Sequence, residues 1–399
     1  MMKISFEEAR LIRGNMKICI IADATVIHTT RYVEYILNQG HEIHLLTYKP
    51  PTKQIDGVDI HIVGSLFNNL YLAFPFRHFK IMRIIKKIKP DVVHAHFITK
   101  FGFHGALLGF HPLVVSAWGS DVLIIPNNSR LLWRFTKFSL EKADIIHAVS
   151  EYMAEEITSS FGISKSNIKI CPFGIDTKRF NLEIDSSTSL IREQLGWERN
   201  PIIISARNFE PVYNIECLID AIPLVIKEVP DTKFILLGKG TLETKLKRMV
   251  DKLDISNNVK FIEYVPNEEL KQYFSCGSVY VSTSLSDSLG ISNLEAMACG
   301  LPVILAEISI TKELKRNGLV FDIYPPKDST VLAKKIINAI ENIEVADHKS
   351  NFAIITKEYN WEENMKEMEN LYFELINSPV HNNIGGKNEV TIHWPSQQK

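Results

Sequence analysis

Short β-branched runs recur along the chain, and each is followed by a longer stretch in which apolar residues return at helical spacing. In the first half the runs are Lys17 to Ile21, Glu42 to Leu46, Val58 to Val63, Asp91 to His94, Leu113 to Ser116, Ile145 to Val149 and Ile168 to Cys171. In the second they are Ile202 to Ser205, Lys233 to Leu237, Val259 to Ile262, Val279 to Val281 and Pro302 to Leu305. Near-continuous apolar strands alternating with helices predict parallel sheets covered on both faces. Each half is long enough to form its own doubly wound sheet, so the expected fold class is α/β, with two Rossmann-like domains facing across a cleft. Polar residues from Asp185 to Ser189 interrupt the pattern and mark the junction. The expected boundaries are an N-terminal extension at 1–16, a first domain at 17–182 and a second at 183–356. A helix at 357–376 is expected to pack back towards the first domain, ahead of a polar tail at 377–399.

Composition narrows the class. Of 399 residues, 45% are hydrophobic and 23% charged, which fits two globular cores and excludes a disordered or fibrous chain. No apolar run reaches the roughly 18 to 20 residues of a membrane-spanning helix, and the first residues lack an apolar signal core, so a cytoplasmic location is expected. Met16 opens the first strand-like run and looks like a natural start. The five cysteines form no C-x-x-C pair, which predicts reduced thiols rather than a disulfide or zinc framework. The net charge of -1 hides an asymmetry: residues 17–180 carry 19 Lys and Arg against 13 Asp and Glu, whereas residues 181–399 carry 23 against 31. A basic half suggests an anionic partner for that half.

Candidate chemistry concentrates at the ends of strands. Phe234 to Leu237 runs into Gly238-Lys239-Gly240, a turn before an amphipathic helix; it either offers backbone N–H groups to an anion or uses glycine only for its dihedral freedom. Arg207 follows another strand, where a guanidinium can fork onto a diphosphate or remain a solvated charge. The richest stretch is Ser284-Leu-Ser-Asp-Ser-Leu-Gly-Ile-Ser-Asn-Leu-Glu-Ala-Met-Ala-Cys-Gly-Leu-Pro-Val-Ile304. A turn there precedes a helix expected from about Asn293 to Cys299, with Gly300 and Pro302 placed to end it. Ser292 and Glu295 are spaced as a capping box, so Glu295 either closes that box or reaches a ligand at the helix N-terminus. None of the sixteen aspartates forms an Asp-x-Asp pair, and no G-x-x-x-x-G-K-[ST] loop occurs, which argues against a metal-dependent nucleotide-sugar site and a nucleoside triphosphatase.

Asp287-x7-Glu295-Ala-Met-Ala-Cys-Gly-Leu-Pro-Val-Ile resembles the E-x7-E segment of family 4 of the retaining glycosyltransferases, which have the GT-B fold. The likeness extends over nearly all of residues 17–376, through Asp91-Val-Val-His-Ala-His96, Trp118-Gly-Ser-Asp121, Ala143 to Ser150 and Pro172 to Phe180. It implies transfer of a sugar, with retained configuration and without metal or cofactor, from a nucleotide sugar to an acceptor. A UDP-sugar is the donor implied by family frequency. The donor would bind the second domain and a glycan or lipid-linked acceptor the first, in a cell-surface polysaccharide or glycolipid pathway. By the same resemblance Glu295 would hold the donor ribose, and Asp287 would contact sugar hydroxyls. Arg207 and the backbone of Ser288, Leu289, Gly290 and Ile291 would hold the diphosphate, with Gly238, Lys239 and Gly240 beside them. The chain departs from the pattern in three ways. Asp287 replaces glutamate, no lysine follows Arg207 within Asn208 to Asn214, and Asp23 to Thr29 replaces a glycine-rich loop, which turns His28 towards the cleft. Tyr213 or Asn214 would then supply hydrogen bonds in the lysine's place.

On the acceptor side the expected residues are Trp118, at a position often histidine in the family, and His96. Asp121 either accepts a hydrogen bond in the cleft or caps the following segment. With Asp287 and Arg207, Asp121 and His28 complete the expected catalytic set. His94 and His96 alternate as metal ligands can, but the sequence signals no third ligand, and no metal site is expected. The segment Phe76 to Lys89 is basic and amphipathic: it is read as a covering helix, with an anionic membrane surface at the inner face of the membrane as a second partner. The basic residues are not interleaved with the expected aromatic platform and no recognised reading motif occurs, so no nucleic-acid partner is expected. Two competing functions remain open, a nucleotide-sugar epimerase and a catalytically weakened nucleotide-sugar-binding partner protein.

Overall fold

The computed structural model describes residues 14–65, 67, 70–183, 187–342 and 350–378. The expected extension up to residue 13, Asp185 and Ser186 of the expected junction, and the polar tail from residue 379 lie outside the described residues. Contacts divide the chain into two compact units. One comprises the described residues up to Pro172 with those from Glu363 onward; the other is Phe173–Glu362.

The first unit is built on a seven-stranded sheet with the order β3-β2-β1-β4-β5-β6-β7. Its strands are β1 Lys17–Ile21, β2 Glu42–Thr47, β3 Asp59–Ile62, β4 Val92–His96, β5 Leu113–Ser116, β6 Ile145–Ala148 and β7 Ile168–Ile170. All pairings are parallel; Ile20, for example, lies opposite Leu45 on one side and His94 on the other. Every residue of β4 and β5 is buried, as continuous apolar strands covered on both faces require. Between β1 and β4 the strand order reverses, which opens a crevice at their carboxyl ends.

The last helix, Trp361–Asn377, supplies buried polar groups to this unit. Its Glu369 meets His41 at 2.9 Å, and its Tyr372 joins a hydrogen-bonded row running through the sheet. The carbonyl of Cys171 fixes the direction of that row, because it only accepts: His147 Nε2–H donates to it at 2.6 Å. The Ser116 hydroxyl then donates to His147 Nδ1 at 2.7 Å, and His94 Nε2–H donates to Ser116 at 2.6 Å. His94 Nδ1 is left to accept from Tyr372, whose oxygen accepts from Tyr32. Each group is satisfied with both imidazoles neutral, and burial indeed pushes the pKa of His94 well below its usual range and that of His147 down to about 4.

The second unit has a six-stranded parallel sheet of order β10-β9-β8-β11-β12-β13. The strands are β8 Ile202–Ala206, β9 Lys233–Leu237, β10 Val259–Ile262, β11 Val279–Ser282, β12 Val303–Ala306 and β13 Asp322–Tyr324. Its core packs Phe234 and Leu236 against Leu218 and Ile222 of the helix Ile215–Glu228. Here the order reverses between β8 and β11. The segment after Pro172 belongs to this unit because its backbone pairs there: Ile175 N–H donates to Tyr359 O at 2.8 Å, and Trp361 N–H to Ile175 O at 2.9 Å. Gly174 allows that approach, since a Cβ on it would lie 2.6 Å from Tyr359 O. The expected boundary at 182/183 therefore differs from the division of contacts at 172/173.

Two expectations about elements need correction. β13 was not among the expected strands; it is three residues long, between the turn at Gly318 and Pro325. The helix expected from Asn293 spans Ile291–Ala298, capped by Gly290 in the left-handed region with no side-chain cap, so Ser292 and Glu295 do not form a capping box. Ser292 instead donates to the Ala206 carbonyl at 3.2 Å and sits 3.0 Å from the Tyr280 hydroxyl, tying the helix to the end of β8.

Candidate functional site

In the second unit the reversal of strand order brings Arg207, after β8, beside the segment that follows β11. Arg207 is only 9% exposed, so a reading as a solvated charge fails. Its Nε donates to the Ser282 hydroxyl at 3.0 Å and one terminal nitrogen to Asn293 Oδ1 at 2.6 Å. The same nitrogen lies 2.9 Å from Asp287 Oδ2. Burial alone would depress the guanidinium pKa, but the charge of and hydrogen bond to Asp287, together with Tyr280 and Tyr213, outweigh it, and Arg207 stays firmly cationic. Asp287 is thus turned onto Arg207 by one oxygen, while the other accepts the Ser288 N–H at 2.9 Å. Its missing methylene leaves it long enough for that ion pair.

Gly290 permits this arrangement. Its φ is +79°, and a Cβ would lie 2.3 Å from Asn293 Nδ2 and 3.2 Å from Asp287 Oδ2. Leu289 anchors the turn in the core, and Ile291 begins the helix. The Asn293 N–H donates to the Gly290 carbonyl at 2.9 Å, and with no side-chain cap the first two N–H groups of the helix, those of Ile291 and Ser292, are left to face whatever occupies the turn. Glu295, one turn further along the helix, is 4% exposed.

A pocket of about 280 Å³ adjoins Arg207; its lining includes Asn208, Tyr213, Gly238, Lys239, Glu263 and Tyr264. The Tyr213 ring lies 5.6 Å from the Arg207 guanidinium. Asn214 takes a left-handed backbone at φ 49°, and its Nδ2 is buried without an acceptor among the described residues. Gly238 is required by close approach, since a Cβ would lie 2.2 Å from Arg207 O. The 238–240 turn is not an open anion cradle at its far end: Thr241 N–H and hydroxyl both donate to Glu210, at 3.0 and 2.6 Å. Lys239 lines the pocket, whereas Gly240 is packed against the Phe209 carbonyl.

In the first unit a pocket of about 200 Å³ lies at the β1/β4 crevice, lined by Asp23, Thr29, His96, Phe97, Lys100 and Trp118 among others. His96 is 2% exposed, and neither ring nitrogen has a hydrogen-bond partner among the described residues. Burial, then the His147 charge, pushes its pKa down to about 3, so it is a neutral ring with two unused polar atoms. Phe97 stands at φ 71°, a strained backbone for a bulky residue at the pocket wall. Asp23 Oδ1 accepts from the Thr25 N–H and hydroxyl, and Oδ2 faces Lys100 at 3.5 Å.

The other expected residues take different places. His28 does not line the pocket; its half-buried ring lies 5.8 Å from that of Trp118, and burial with the Arg31 charge lowers its pKa to about 4. Asp121 is fully buried, and its oxygens accept the N–H groups of Ile98 at 2.7 Å, Trp118 at 3.0 Å and Gly119 at 2.9 Å. Burial pushes its pKa up to about 6 against the opposing effect of those donors. Both its oxygens are spent on holding the Trp118 turn to the end of β4. Among the described residues no cluster of three metal-ligating side chains occurs, and no helix is long and apolar enough to cross a membrane. Asn293, Ser282, Asp23 and Lys100 were not singled out in the sequence, although Asn293 lies inside the recognised stretch.

Residues 187–356 match the family described as glycosyl transferases group 1, and residues 17–150 match the glycosyl transferase 4-like family. An uncharacterized glycosyltransferase of Methanocaldococcus jannaschii is 23% identical over 371 residues, 88% of this chain and 94% of its own length. The alpha-monoglucosyldiacylglycerol synthase of Acholeplasma laidlawii is 26% identical over 365 residues, covering 84% and 90%. The crystal structure of Anabaena HepE in complex with UDP and glucose superposes with a TM-score of 0.75 at 19% identity, covering 90% of this chain and 99% of that one. That likeness shows the fold.

Proposed function

We propose that this chain, which belongs to the group 1 glycosyltransferases of GT-B fold, takes a UDP-sugar as donor and transfers the sugar with retained configuration to a glycan or lipid-linked acceptor. The observation that carries the reading is the buried Arg207, held by Ser282, Asn293 and Asp287 beside the open N-terminus of the helix Ile291–Ala298. A buried cation and oriented N–H groups suit a diphosphate, whose charge grows as the bond to the sugar breaks.

In the proposed reaction the C1–O bond of the donor breaks, and its electron pair passes to the diphosphate oxygen beside Arg207. The acceptor hydroxyl forms the new bond to C1 on the same face, and its proton goes to the leaving diphosphate. When the diphosphate takes up Arg207, Asp287 is released towards the sugar, where a carboxylate stabilises an oxocarbenium-like carbon. Arg207 and the helix terminus together supply the positive potential that a metal supplies elsewhere, and the sequence lacks an Asp-x-Asp pair. Metal independence is part of the proposal on those two grounds. The HepE structure, which holds UDP and glucose, and the glycolipid-forming relative support the donor and acceptor classes.

The test is to incubate the protein with UDP-sugars, with and without lipid and glycan acceptors, in chelator, and to follow UDP release and the anomeric configuration of the product by NMR. Acceptor-dependent release with retention supports the reading. Sugar isomerisation without release, inversion, or loss of turnover in chelator contradicts it.

A further inference from the structure

We propose that the outward face of the helix Leu70–Ile88 docks the first unit onto an anionic lipid bilayer. The inward face is fully accounted for by packing: Ala73, Ile81 and Ile85 are buried, and Ile84 and Ile88 pack against the same core. The outward face is not the polar surface that a solvated helix presents. Leu72, Phe76 and Phe79 are 58%, 56% and 54% exposed, and their i, i+4, i+7 spacing sets them on one line. Phe67, 41% exposed, extends the cluster, with its ring 5.0 Å from that of Phe76. Scattered exposed apolar residues are ordinary, whereas a contiguous aromatic cluster rimmed by charge marks an interaction surface.

Further along the same line the helix exposes Arg83, Lys86 and Lys87, and no Asp or Glu occurs anywhere from Phe67 to Lys89. Rings followed by an acid-free row of cations match the two layers of a bilayer interface. The rings enter the boundary between headgroups and acyl chains, while the cations meet anionic headgroups. A second copy of this chain is a poorer match, because this stretch carries no acidic residue to pair with the cation row of a second copy. Among the described residues no helix is able to span a bilayer, so the contact lies at the surface. It places the first unit, with its own pocket, against the lipid phase, and it does not depend on the identity of the donor.

The full chain is to be sedimented with phosphatidylglycerol-containing vesicles and with pure phosphatidylcholine vesicles. Wild type is compared with L72S/F76S/F79S and with R83Q/K86Q/K87Q, each checked for folding by circular dichroism and for unchanged UDP affinity. Wild type should prefer anionic vesicles at least about tenfold and lose binding as salt rises. The charge variant should lose roughly fivefold per cation removed, and the apolar variant should lose binding to a similar extent. Equal binding to both vesicle types, or anionic binding unchanged in both variants, overturns the proposal. So does a wild-type dimer in sedimentation velocity that the apolar variant dissolves, because the face then joins copies of the chain.

Discussion

Arg207 keeps its charge in a place where a charge needs partners, and the partners it has are the residues a diphosphate would join. Removing one should separate binding from chemistry. Asp287→Asn keeps the shape of the site but frees Arg207 of its counter-charge, so UDP affinity should hold or improve while transfer falls by about 10² to 10³; unchanged turnover would remove Asp287 from the reaction. Asp121 belongs to the opposite case. In Asp121→Asn an amide NH2 must face a backbone N–H, since both carboxylate oxygens accept. The expected result is a loss of about 1–3 kcal/mol in stability with unchanged UDP affinity, measured by chemical denaturation and calorimetry. At this scale the sequence singled out Arg207 at a strand end, and Asp287 with the 288–291 turn inside a specific stretch, and the structure brings Arg207 and Asp287 together. It did not disclose that Asn293 and Ser282 hold the guanidinium, since that depends on which face of a short helix meets which strand. Nor did it show that Asp121 is spent on backbone donors, which depends on the distant Ile98.

The turn and helix around Gly290 work as one element. The left-handed glycine lets Asp287 and Asn293 converge on Arg207, and Ser292 ties the helix to β8. Gly290→Ala should therefore cost about 1–2 kcal/mol for the backbone alone. It should also weaken UDP binding by pushing the Asn293 amide off Arg207; a variant with normal UDP affinity would show that the convergence is dispensable. Most strands were legible from apolar runs, because parallel strands buried on both faces need no alternation. β13 escaped because its three residues are too few for a pattern, and the S-x-x-E spacing misled because Gly290, two residues earlier, takes the cap.

Across the whole molecule the histidines divide the two units. No histidine occurs from residue 148 to residue 347, whereas the first unit buries His94, His96, His104 and His147. Burial holds His94 well below its usual range, His96 and His104 at about 3 and His147 at about 4. In the unfolded chain each takes a proton near the ordinary value of about 6.5. Below that pH the unfolded state binds more protons than the folded one. Stability is therefore fully present above about pH 6.5 and is lost as pH falls from there towards 4, by up to about 1.4 kcal/mol per pH unit for each histidine. Calorimetry between pH 7.5 and 5 should show a component of the first unit falling steeply while that of the second moves little; parallel shifts would contradict the assignment. A cut at residue 180 also separates a basic first part from an acidic second part, and in the proposed function the second unit binds a diphosphate through a buried cation and a helix end. The most direct test is titration calorimetry of UDP and of uridine against wild type and a folded Arg207→Ala variant. Wild type should bind UDP at least about tenfold more tightly than uridine, and the variant should lose that difference, at a cost of about 1.5–3 kcal/mol for charge-assisted hydrogen bonds. A folded variant that still prefers UDP by the same factor would contradict the account.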